Sequence, residues 1–309
     1  MQFINDLNIL SNINILAKND PKTLCEISEK SYDDKIREVA SAMMNSRSKK
    51  ILLLAGPSSA GKTTSSKKLR QYFNENGINC FTVSLDDFYL DSGNHPLAED
   101  GTPDFESIRA LDLPLLAETT EQLLTTGECD LPVFDFNTKK RIVNANHISM
   151  GSDDILIFEG LHALNPILIN TLPPDAIYKM YVSVLSRVYD DNGNIIMGKR
   201  DLRFTRRLVR DFKHRNSSAE TTYAIWKNVK SGEDKYLFPF EDTADIKVDS
   251  FHPCEACILR KEATDILNTL PENSIFADSC AKLKSNLSLF NDVETELLSD
   301  NSLLREFAG

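Results

Sequence analysis

No stretch of this 309-residue chain approaches the roughly 18 consecutive apolar residues of a membrane-spanning helix, so no membrane span is expected. An excess of basic residues is missing too: 35 Lys and Arg stand against 46 Asp and Glu, a net charge of −11. Nucleic acids and anionic membranes attract basic proteins, so neither is an expected partner. An anionic nucleotide stays open, because it needs only a local positive pocket. The first twenty residues lack the basic flank of a signal peptide and carry Asp6, which argues against secretion. Six cysteines are too few for a disulfide framework in a chain this long, and a reducing cytoplasm is the expected compartment. His252-Pro253-Cys254-Glu255-Ala256-Cys257 contains a C-x-x-C, but no second Cys/His pair stands at metal-ligand spacing. Those two cysteines are therefore read as small apolar residues opening a helix. Internal repeats and low-complexity linkers are absent. What remains, 41% apolar and 26% charged residues, is the composition of a globular protein, long enough for one large α/β domain or two small ones.

The chain is organised around residues 49–66, KKILLLAGPSSAGKTTSS. Ile51 to Leu54 is a short continuous apolar run, as in a parallel strand buried on both faces. Gly56-Pro57-Ser58-Ser59-Ala60-Gly61-Lys62-Thr63 then fits G-x-x-x-x-G-K-[ST], and the following Thr64 opens a stretch with Leu69, Tyr72 and Phe73 on one helical face. Each part has a physical reason. Glycines let successive N–H groups close around an anion, and the helix N-terminus adds partial positive charge. Lys62 would neutralise outer phosphates, and the Thr63 hydroxyl is placed for a magnesium ion. Strand, loop and helix in this order predict a nucleoside-triphosphate site.

Further strands are predicted at 80–85 (CFTVSL), 154–158 (DILIF), 179–185 and 244–248, and helices at 32–45, 112–126, 201–215, 219–231 and 255–270. Residues 91–107 should be loop, and 131–136 with 141–148 should pair as a hairpin over the site. The alternation predicts an α/β fold with a mostly parallel, doubly wound sheet. A helical extension at 1–48, a central domain at 49–270 and a helical tail with a loose end at 271–309 are the expected divisions.

Two strands end in carboxylates, Asp86 after VSL and Glu159 after ILIF. Ligands collect at the carboxyl ends of parallel strands, so both should face the phosphate loop. A carboxylate on the strand beside the loop can take the proton of an attacking hydroxyl, and one at a strand end can help hold the metal. Arg203, Arg206, Arg207 and Arg210 share one helix face; four cations there repel one another, and nucleotide phosphates under a closing lid would neutralise them. A solvated face offset by Asp201 and Asp211 is the alternative. N-K-x-D, the guanine reader, is absent, and Glu159 is followed by Gly160 rather than by a second carboxylate, unlike motor and helicase ATPases.

In the order GPSSAGKTT, SLDDFYLD, LPVFDFNTKKR, ILIFEGLHALN and RFTRRLVRDFKHR, these segments resemble the uridine kinase and phosphoribulokinase family of P-loop kinases over about residues 49–250. The stretch YLFPFEDTADIKVDS and the ending SLLREFAG resemble a bacterial-type branch, whose members often carry an N-terminal region that this sequence does not show. The resemblance implies the P-loop kinase fold with a small lid hairpin, ATP and Mg²⁺ as cofactors, and a small nucleoside-like acceptor. It implies Asp86 as general base on a nucleoside 5′-hydroxyl, with Thr63, Asp86 and Glu159 around the magnesium. Residues 56–64 with Arg206 and Arg210 would hold the triphosphate, and Lys62 and Arg206 would assist catalysis. Tyr89, Glu106, Phe134, Lys139 and Arg203 would line the acceptor side, Glu106 gripping ribose hydroxyls. Where the family reads a pyrimidine with Tyr, His and Gln, this chain has Phe134, Lys139 and Thr221. Phe134 can stack but cannot donate a hydrogen bond, and Lys139 suits either an anionic acceptor or a solvated hairpin tip. A phosphoribulokinase-like or other small-metabolite kinase, a nucleotide-dependent switch without transfer, and self-association are left open.

Overall fold

The structure, a computed structural model, describes residues 5–46, 48–91, 93–97, 101, 104–135, 138 and 140–309. In chain order the elements are α1 Leu10–Asn19, α2 Pro21–Asn45, β1 Ile51–Ala55, α3 Lys62–Glu75, β2 Cys80–Ser84, α4 Leu113–Thr126, β3 Glu128–Asp135, β4 Lys140–Ser149 and β5 Ile155–Gly160. There follow α5 Pro166–Ile169, β6 Ile177–Ser183, β7 Val188–Tyr189, β8 Ile195–Met197, α6 Lys199–Arg215, α7 Ala219–Tyr236, β9 Ile246–Asp249, α8 Glu255–Asn268, α9 Ala277–Leu287 and α10 Arg305–Ala308.

Five strands form one parallel sheet in the order β2-β5-β1-β6-β9. The apolar runs of β1 and β5 are buried at every position because both sheet faces are covered. Alternate residues divide between two cores. Leu52, Leu54, Ile157, Met180 and Val248 pack with α2, α3, α6 and α8 on one face; Ile51, Leu53, Phe158 and Tyr181 pack with the region of α4 and α5 on the other. The fold is thus α/β, with a doubly wound parallel sheet. The antiparallel pair β3–β4 is the expected hairpin, rooted beside residues 85–88 where Asp87 Oδ1 accepts from the Phe134 N–H at 3.0 Å.

Three readings change. The second helix begins at Pro21 rather than residue 32, because Asp20 caps it by accepting from the Thr23 N–H at 3.1 Å and Pro21 supplies the preset first turn. A polar, Asn-rich opening hid that cap. The neighbours of β1 are β5 and β6, so Glu159 rather than Asp86 stands next to the phosphate-loop strand; β2 lies one place further out, beyond β5. Nor is the end of the chain loose: Leu303, Leu304 and Phe307 are fully buried, in the same apolar core as Ile13, Leu24 and the sheet. Cys254 and Cys257 are buried at the start of α8, and all six cysteines are free thiols.

Candidate active site

Parallel pairing sets the site. Glu159 lies level with Leu54 of β1 and with Ser84 of β2, at the sheet edge from which the 56–61 loop leaves and Asp86 follows two residues after β2. The loop is held by its backbone. Ser59 and Gly61 take φ of 58° and 90°, in the left-handed region, and Gly61 is the residue before α3. Gly56 is required for closeness: a Cβ there would lie 2.2 Å from the Val182 carbonyl oxygen of β6. Gly56→Ala is therefore expected to prise β1 from β6 and cost about 3 kcal/mol, the upper end of what overpacking costs, visible as a lowered urea midpoint.

A cleft of about 260 Å³, open to solvent, is lined by Ser58 to Thr63, Asp86, Tyr89, Glu106, Glu159, Leu161, Arg207, Arg210, Arg215 and Glu306. Lys62 reaches back to the Pro57 carbonyl at 3.4 Å. Burial, opposed mainly by Lys62, raises the Asp86 carboxyl above its usual range. Burial likewise pushes Glu159 up to about 7, and its Oε2 has no hydrogen-bond partner. Glu106 is also pushed up to about 7, by burial and by the neighbouring Glu233 carboxylate. Four carboxylates and four cations line this cleft, and within it the desolvated Asp86 and Glu159, the latter with an unpartnered oxygen, offer donors to a cation. Among the described residues no group of three or more His, Cys, Asp or Glu side chains could hold a metal alone. That donor set fits magnesium, which takes one or two carboxylates, a hydroxyl and phosphate oxygens rather than an all-protein cage.

The Glu106 shift carries a sign. An unfolded glutamate loses its proton near 4.5 and this one near 7, so between those values the folded chain keeps a proton that the unfolded chain has lost. Stability then falls as pH rises across that window. Glu106→Gln is expected to leave stability unchanged at pH 4.5 and to raise it by about 1–2 kcal/mol at pH 8, discounted for partial exposure. Denaturant midpoints of both proteins at the two pH values check this.

The arginine helix departs most from expectation. Arg203 and Arg206 do not reach the cleft; each is buried in an ion pair of the chain's own making. Arg203 makes two 2.7 Å bonds to the Glu233 carboxylate. Together they grip Ser58, Arg203 donating to its carbonyl at 3.0 Å and Glu233 accepting from its N–H at 2.9 Å. Arg206 pairs with Glu255 and donates to the Ser250 carbonyl at 2.6 Å, behind the loop. Arg207 donates to Ser58 Oγ at 2.7 Å and faces Asp211, which also takes Arg210 at 2.7 Å. Glu233, Glu255 and Asp211 pair with this stripe, Asp211 being one of the two carboxylates the alternative reading named, and α6 buttresses the loop. Arg207, Arg210 and Arg215 are the guanidinium groups that line the cleft.

Of the residues expected on the acceptor side, Tyr89 and Glu106 line the cleft, whereas Phe134 is buried against the Tyr89 ring at 5.6 Å between centroids and is not part of the lining. Lys139 lies outside the described residues. Thr221 is exposed in the first turn of α7, hydrogen-bonded to its cap Ser218, and is not part of the lining. Thr64 binds Glu306, through its N–H at 3.3 Å and its hydroxyl at 2.6 Å. Sequence reading missed Glu233, Arg215 and Glu306. Glu233 and Glu306 lie 175 and 242 residues from their loop partners, and no local pattern marks such pairs.

Comparison with known proteins bears on this arrangement. The family described as "Phosphoribulokinase / Uridine kinase family" matches residues 51–255. A uridine kinase of Lactobacillus helveticus is 30% identical over 209 residues, covering 67% of this chain and 89% of that protein. A uridine kinase of Anoxybacillus flavithermus is 28% identical over 227 residues, 73% of this chain and 97% of that one. The solved D-glycerate 3-kinase of Cryptococcus neoformans overlaps 71% of this chain and 92% of its own at 16% identity, with a TM-score of 0.46 that bears no weight on the acceptor. With the matched span running from the first strand of the sheet to the opening of α8, the chain belongs to the phosphoribulokinase and uridine kinase family of kinases.

Proposed function

We propose that this chain transfers the γ-phosphoryl of ATP to the 5′-hydroxyl of a pyrimidine nucleoside. The observation that carries the reading is the meeting of Lys62, Asp86 and Glu159 in one cleft at the carboxyl ends of β1, β2 and β5. The amides of the loop and of the first turn of α3 would cradle the phosphates, and Lys62 would neutralise the outer ones. Arg210, with Arg207 and Arg215, would offset charge along the chain of phosphates from the opposite wall. Thr63, Asp86 and Glu159 would hold magnesium, which when bound screens the β- and γ-phosphate oxygens. Asp86 would orient the acceptor hydroxyl and accept its proton, since its carboxylate borders the same cleft as Lys62. Glu106 would accept hydrogen bonds from a vicinal diol. Catalysis is then mostly positioning and charge neutralisation.

A second reading, transfer to a non-nucleoside alcohol, is favoured by the missing polar base-readers at Phe134 and Thr221. ADP release measured with uridine, cytidine, purine nucleosides, sugar phosphates and small hydroxy acids separates the two. Fastest turnover with uridine or cytidine is expected. Turnover confined to a sugar phosphate or hydroxy acid would transfer the assignment to the second reading, and ATP binding without turnover of any acceptor would make the protein a nucleotide-dependent switch.

A further inference from the structure

The segment 303–308 packs onto the phosphate loop. Leu303 is fully buried against Gly61, so close that a Cβ at Gly61 would lie 2.4 Å from Leu303 Cδ1. Phe307 is fully buried beneath the Arg206 guanidinium, 5.3 Å from ring centroid to Cζ. Lys213 donates to the Ala308 carbonyl, and Arg305 donates to the Leu298 and Ser299 carbonyls at 3.0 and 2.9 Å. These anchors bring one carboxylate into the cleft. Glu306 Oε2 accepts from both the N–H and the hydroxyl of Thr64, in the first turn of α3.

Those two donors are what a phosphate oxygen would use. The first amides of a helix have no partner within it, and an anion at that terminus satisfies them. A carboxylate and a phosphate cannot take the same two hydrogens. Both are negative, so they also repel across the short distance between them. We infer that Glu306 is a built-in stand-in for a nucleotide phosphate, and that ATP must displace it from Thr64 to seat fully. The segment thereby sets a ceiling on nucleotide affinity. This rests on the nucleotide reading of the loop given above.

A carboxylate that served the fold alone, as a cap on α3, would leave ATP affinity unmoved when removed. A gate would not. A charge-assisted hydrogen bond contributes enough that its loss is worth about ten-fold or more in an equilibrium. The experiment is titration calorimetry of ATP with MgCl₂ into the full chain and into Glu306→Ala, Glu306→Gln and Lys62→Ala, with circular dichroism to establish folding. Glu306→Ala is expected to bind ATP about ten-fold more tightly than the wild type, and Glu306→Gln, which keeps the shape without the charge, to fall between them. Should the alanine variant not fold, tighter binding by the glutamine variant alone still supports the gate. Wild-type binding that Lys62→Ala abolishes, with unchanged or weaker binding in the folded Glu306 variants, overturns the gate and leaves the nucleotide site standing. Failure of the wild type and of both Glu306 variants to bind ATP overturns the two together.

Discussion

Asp86→Asn is expected to lower phosphoryl transfer by about 10²- to 10⁴-fold while ATP binding stays within a few-fold of the wild type. The asparagine keeps the volume of the side chain and one hydrogen-bond acceptor, so an acceptor hydroxyl can still dock. It cannot take the proton. Because Asp86 faces the same cleft as Lys62, removing its charge relieves repulsion toward a triphosphate, while Thr63 and Glu159 remain in the cleft to hold the magnesium. The pH profile adds a second readout. The carboxylate must be ionised to act, so wild-type turnover falls as pH drops through its titration, and burial places that limb above the usual aspartate range. In the asparagine variant the part of that limb due to Asp86 should vanish. Near-full turnover with the true acceptor would remove Asp86 from the role of base.

Arg206→Met is expected to destabilise the protein by about 3–5 kcal/mol, because it strands the Glu255 carboxylate in the core. Both groups are buried, Glu255 Oε1 has no partner even now, and burial already raises the Glu255 carboxyl against the pull of Arg206. The double variant Arg206→Met with Glu255→Leu removes both charges and should recover much of that loss, since well-packed apolar pairs often replace buried ion pairs at little cost. A four-member denaturation cycle measures the coupling. If Arg206 instead served the triphosphate, Arg206→Met would leave the midpoint unchanged and weaken ATP binding, and the double variant would recover nothing.

The two substitutions mark where sequence was readable. The phosphate loop was legible because its chemistry is local: glycines, lysine and threonine must sit at fixed offsets between a strand and a helix, and they do. Asp86 and Glu159 were legible because an apolar run ending in a carboxylate points that group at the sheet edge where ligands gather. The parallel sheet and the β3–β4 hairpin followed from the alternation of strand and helix patterns. Strand order did not, since neighbours in a parallel sheet are joined by crossovers that leave no mark on composition. The arginine stripe was seen at the right spacing but given the wrong surroundings. Helical periodicity tells which residues share a face and put Asp211 beside it; it does not tell that Glu233 and Glu255, from other helices, meet that face. Glu306 was illegible for the same reason, as its partner Thr64 is brought near only by the packing of Leu303 and Phe307.

The most direct test of the account is the structure of the full chain with a non-hydrolysable ATP analogue, Mg²⁺ and uridine. The account predicts the terminal phosphate beside Lys62, with the uridine 5′-oxygen within about 3 Å of the Asp86 carboxylate. A nucleotide bound away from residues 58–63, or an acceptor oxygen held by another group while Asp86 stays remote from it, would contradict it.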